Sequence, residues 1–73
     1  MYKTADDLVA DLPPGQESTC GPEVFGMNLE QFQDVVSRLR QLEKSGSIAL
    51  PREHAESQTG SKYVDFIRVR RIS

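Results

Sequence analysis

The stretch MNLEQFQDVVSRLRQLEKSGSIAL, Met27 to Leu50, joins a long helical period to a clear stop and a following strand. Leu29, Phe32, Val35, Val36, Leu39 and Leu42 recur at helical spacing and gather on one face. Asn28 is placed to accept from a first-turn amide as N-cap, and Gln31, three residues on, closes a capping box. At the other end Lys44 suits the negative pole of the helix dipole, and Gly46 suits the left-handed conformation that ends a helix. The spacing predicts a helix over 29–44. Ser47, Ile48, Ala49 and Leu50 then alternate as a half-buried strand does, until Pro51 weakens the ladder.

Working outward toward the N-terminus, Thr4 followed by Asp6 and Asp7 reads as an N-cap with acids in the first turn. Ala5, Leu8, Val9 and Leu12 form its apolar stripe, and Pro13-Pro14 end it. A helix this short needs packing to exist, and the stripe Leu8, Val9 and Leu12 is expected to meet Phe32, Val36 and Leu39. Gly15 to Gly21, GQESTCG, carries no periodic pattern and reads as a mobile polar connection. Pro22 suits the first position of a new helix with Glu23 in its first turn, and Gly26 keeps that helix to a single turn.

Working outward toward the C-terminus, Glu53 to Ser61 has no apolar side chain beyond Ala55 and ends in Thr59-Gly60-Ser61, a turn composition. It reads as a loop and as the most mobile internal segment. Lys62 to Ile72 alternates as a strand. Two faces compete for the core: Ile67 with Val69, set opposite Ile48 and Leu50, or Val64 with Phe66. Arg68, Arg70 and Arg71 make a basic end that either meets an anion or guards an edge strand against pairing.

Seventy-three residues allow one small domain, near the size at which a single core just offsets chain entropy. The lone Cys20 has no partner for an internal disulfide, and with one histidine in the chain no metal cluster is expected. A thiol beside Gly21-Pro22, at the start of a helix, has either a lowered pKa or the role of a small residue in a turn. No apolar run approaches the ~20 residues that span a bilayer, and the first residues carry acids where a signal peptide carries bases. A soluble, cytoplasmic protein with no membrane contact and no cofactor is expected. The net charge of −2 is unevenly spread. Residues 1–30 hold six acids against Lys3 alone, whereas residues 31–73 hold eight bases against five acids. Such an acidic front and basic back can still present one cationic face.

The order helix, short helix, longer helix ending in glycine, strand, loop, strand resembles a winged helix-turn-helix domain. The run VVSRLRQLEKSGSIAL, Val35 to Leu50, resembles the recognition helix and first wing strand of small bacterial or phage and plasmid transcriptional regulators. Val36, Ser37, Arg38, Leu39, Leu42, Glu43, Gly46 and Ile48 carry that likeness. It implies an α+β fold of three helices followed by a two-stranded β-hairpin wing, and double-stranded DNA as partner. The function it implies is transcription regulation or service to a mobile element.

On that reading Gln33, Ser37, Arg38, Gln41 and Lys44 lie along the helix that enters the groove, while Arg52, His54 and Lys62 flank the wing and track phosphates. Glu30 and Asp34 share the outward face and oppose an approaching phosphate. The competing reading is a winged-helix module that binds a protein instead, since fold does not fix function. A C2 homodimer would be needed to read a palindrome, and no extra dimerisation helix is present. No pair of groups argues for catalysis, so an enzyme is not expected.

Overall fold

A computed structural model describes residues 2–72. Three helices, α1 (Ala5–Asp11), α2 (Pro22–Phe25) and α3 (Leu29–Lys44), and three strands, β1 (Glu17–Cys20), β2 (Ile48–Ala55) and β3 (Val64–Arg71), form an α+β domain. The helix ends follow from their capping chemistry. Thr4 Oγ1 accepts from Asp7 N, and the Asp7 carboxylate accepts in return from Thr4 N. Asn28 and Gln31 make the same reciprocal pair at the head of α3. Gly26 (φ 64°) stops α2 and Gly46 (φ 86°) follows the end of α3, both in the left-handed region where a side chain would be strained.

The sheet is antiparallel in the order β1-β3-β2, so β3 is its central strand. This corrects two expectations. The hairpin is part of a three-stranded sheet, not a two-stranded wing, because the polar segment read as a mobile connection supplies β1. β1 has little apolar content; what holds it is pairing with β3 from Glu17↔Arg70 to Cys20↔Ile67. Arg68 and Arg70 therefore guard no edge.

Pro51 does not end β2. The register slips between Ala49↔Arg70 and Arg52↔Arg68, leaving Leu50 and Pro51 opposite Val69 alone, and the strand resumes to Ala55. Such a bulge on an edge strand is where proline is tolerated. A second slip between His54↔Phe66 and Ala55↔Val64 skips Asp65. It turns Val64 to the core side, where Ile67 and Val69 also lie, so each competing face is partly right. Ile48 itself sits opposite Arg71.

The core lies between one face of the sheet and the helices. Phe32, Leu39, Ile67 and Val69 are fully buried, with Ala5, Leu8, Val36 and Ile48 around them and Val9, Leu12, Leu42 and Leu50 packed at the margin. The expected contact between the α1 stripe and α3 is thus present. Arg71, on the core-facing side of β3, donates from Nη1 to Leu12 O at 2.7 Å and to Val9 O and Ala10 O at 3.3 Å. A cation there suits the carbonyl end of α1, where Val9 O also accepts from Leu12 N.

Candidate nucleic-acid interface

Two surfaces carry the polar residues singled out from the sequence, and they lie on opposite sides of the sheet. The first is the outward side of α3. Ser37, Gln41 and Lys44 are exposed there, but so are Glu30 and Asp34. Arg38 is committed: its guanidinium pairs with Asp6 of α1 at 3.2 Å and donates to Gln41 Oε1 at 3.2 Å. Arg40 is paired with Glu53 at 3.0 Å. Gln33 is half-buried and built into the fold. Its side-chain nitrogen donates to Val64 O (2.9 Å) and Leu29 O (2.8 Å), and its oxygen accepts from Val64 N (2.9 Å). The helix side is therefore a mixed surface, and among the described residues Lys44 is the one cation of α3 without an ion pair.

The second surface is the open face of the sheet. Alternation sends Arg68 and Arg70 outward from β3 while Ile67 and Val69 point in, and the bulge at Leu50-Pro51 restores Arg52 and His54 to the same outward side of β2. Arg52 stands directly opposite Arg68, and Arg70 faces only the small Ala49 on that side. Directly opposed side chains lie about 5 Å apart at Cβ, and like charges so placed repel. Glu17 and Thr19 of β1 complete the face. Arg68 reaches Glu17 at 3.7 Å and donates to Thr19 Oγ1 at 3.3 Å. Among the described residues Arg52 and Arg70 have no ion pair.

At the hairpin end of the same face His54 and Phe66 stack, with ring centroids 5.0 Å apart and planes 2° from parallel. His54 Nδ1 lies 2.7 Å from Asp65 Oδ1, which fixes the ring, and 57 % of the His54 side chain is open to solvent. Lys62 is exposed in the hairpin loop and adopts φ 56°, a left-handed turn conformation unusual for a side chain of its size.

Of the eight positions read as DNA-contacting, the fold thus brings Arg52 and His54 together with Arg68, Arg70 and Phe66, which that reading missed. Lys62 is in the hairpin loop, and Gln33, Ser37, Arg38, Gln41 and Lys44 belong to the other side. The signal missing from the sequence was the position of β3: on an edge its arginines are guards, in the centre they are an open cationic face. Cys20 is 1 % exposed, and burial, with Glu23 nearby, pushes its thiol up to about 11, the reverse of activation. No family model, curated protein or solved structure matches this chain. Among the described residues no helix is long and apolar enough to cross a membrane.

Proposed function

We propose that this chain is a nucleic-acid-binding domain of winged-helix type, and that it holds phosphates on the open face of its sheet. The winged-helix part is supported by the order α1, α2, α3 and the long β2–β3 hairpin, to which β1 adds a third strand. The nucleic-acid part rests on one observation: Arg52, Arg68 and Arg70 share an open face, two of them in directly opposed positions, and among the described residues Glu17 is the one carboxylate ion-paired with any of the three. A cluster of that kind costs stability until an anion lies across it.

The test is the salt dependence of binding to a labelled oligonucleotide, presented single-stranded and as duplex. Three phosphate contacts give a log–log slope of roughly −2 on a single strand and −3 on a duplex, and Arg52→Ala or Arg70→Ala each flattens it by about one contact. Arg38→Ala and Asp34→Asn, on the helix side, leave the slope unchanged. Absence of binding in both forms at low salt would end the nucleic-acid reading.

A second reading, a protein-binding module, draws on a groove of about 560 Å³ between the start of α1, the end of α2 and α3, where Phe25, Met27 and Val35 lie among Lys3, Asp6 and Asp34. It takes precedence if the oligonucleotides fail.

A further inference from the structure

We infer that the nucleic acid taken by this face is single-stranded, with one base stacked on the His54–Phe66 pair and the chain of phosphates running over Arg52, Arg68 and Arg70. The inference rests on the nucleic-acid reading above and specifies its substrate class. Its first ground is shape. Duplex bases are read by an element narrow enough to enter a groove, a helix or a two-stranded ribbon. Here the cations lie on β2 and β3, but β1 is paired alongside Arg68 and Arg70, so that part of the hairpin is widened to three strands and does not enter a groove as a free ribbon.

The second ground is the aromatic pair. A ring open to solvent beside a row of guanidinium groups offers nothing to bases already stacked inside a duplex, whereas an unpaired base gains a π-face. His54 and Phe66 hold such a ring ready: they stack face to face across β2 and β3, and Asp65 holds the imidazole by Nδ1. His54 also borders a cleft of about 270 Å³ whose lining includes Ser57, Gln58 and Thr59 together with Leu29, Asp65 and Glu56, the Glu56 carboxylate being engaged by Gln58 and Thr59. The third ground is spacing. Arg68 and Arg70 are two residues apart on one strand, about 6.7 Å along it, and Arg52 lies one strand over from Arg68. The three guanidinium groups therefore lead away from the aromatic pair as a track, with the stack at its hairpin end. Among the described residues, Glu17 faces this surface on the β1 side and Asp65 at the imidazole, each already engaged by a cation or ring nitrogen of the face, and Glu56, in the adjoining cleft, is engaged by Gln58 and Thr59.

Fluorescence anisotropy with a labelled oligothymidylate of about 12 nucleotides, and with the corresponding oligothymidylate–oligoadenylate duplex, tests this. The wild-type chain is expected to bind the single strand more tightly than the duplex. His54→Ala is expected to weaken single-strand binding between about 5-fold and about 150-fold, the range found for loss of one stacked base, and to leave duplex binding unchanged. His54→Phe, which keeps a ring, restores the wild-type value. Phe66→Ala should match His54→Ala, and because His54 is exposed the result does not depend on whether the Phe66 variant folds. Duplex binding equal to or tighter than single-strand binding, or His54→Ala binding the single strand as wild type does, overturns the single-strand inference while leaving the nucleic-acid reading in place. Failure of both oligonucleotides to bind overturns both.

Discussion

The side-chain amide of Gln33 donates to Val64 O and accepts from Val64 N, both at 2.9 Å, and so pairs with the head of β3 as a neighbouring strand would. Helical periodicity sets Gln33 at the flank of the apolar stripe, and a polar residue there ordinarily faces water. What the sequence does not contain is which backbone comes to lie beside it, since Val64 is 31 residues away. Gln33→Ala strips Val64 of both partners at a buried position, and leaving such groups unmatched costs about 1–3 kcal/mol. Urea denaturation should show that loss, and exchange of the Val64 amide should quicken. Ser37→Ala, one turn on and exposed, should stay within about 0.5 kcal/mol of wild type. Equal stability of the two variants would mean that the Gln33 amide is not a structural element.

The hairpin is the element whose sequence reading changed most. Glu53 to Ser61 lacks an apolar anchor, which made it read as loose, yet the anchor is polar. Glu56 is buried, and its carboxylate accepts from Gln58 N (2.7 Å), Thr59 N (2.9 Å), the Thr59 hydroxyl and Tyr63 N (3.3 Å), while Glu56 N donates to Tyr63 O. The Thr59 hydroxyl first, and then the backbone amides, hold this carboxyl below the usual carboxylate range. Because the folded pKa is the lower one, the ordering it contributes is present above the ordinary value of about 4.3 and is lost as pH falls through the lowered one. Hydrogen-exchange protection factors at Gln58, Thr59 and Tyr63 should be high at neutral pH and fall in acid, with those of α3 retained. Glu56→Gln should remove them at neutral pH. Protection in 57–63 that ignores both changes would assign the loop's order to some other contact. By contrast α3 was legible to the residue and α1 from its cap, because caps, stripes and stop signals are local chemistry, though α1 stops at Asp11, short of Leu12. β1 was not, because ESTC has no apolar alternation and its strand state comes from β3.

Over the whole molecule, the acidic first part and the basic second part of the chain map in part onto different layers. Asp6, Asp7 and Asp11 belong to α1 and Glu30 to α3, and Arg52, Arg68 and Arg70 stand on the far side of the sheet, but Glu17 stands there too and Arg38, Arg40 and Lys44 belong to α3. The sequence shows the uneven spread of charge. It did not reveal which surface was cationic, since that follows from β3 being central, and this depends on a strand with no signature of its own. The likeness of Val35–Leu50 to a recognition helix drew attention to α3, where the geometry commits Arg38 to Asp6 and Gln33 to Val64. The central claim is that an anionic polymer meets the open face of the sheet and not α3. Amide and arginine side-chain NMR shifts recorded during titration with oligothymidylate test it most directly. The account predicts that shifts concentrate at Arg52, His54, Phe66, Arg68 and Arg70, including the Nε–Hε signals of those arginines, while Ser37, Gln41 and Lys44 stay in place. Shifts confined to the outward side of α3 would contradict it.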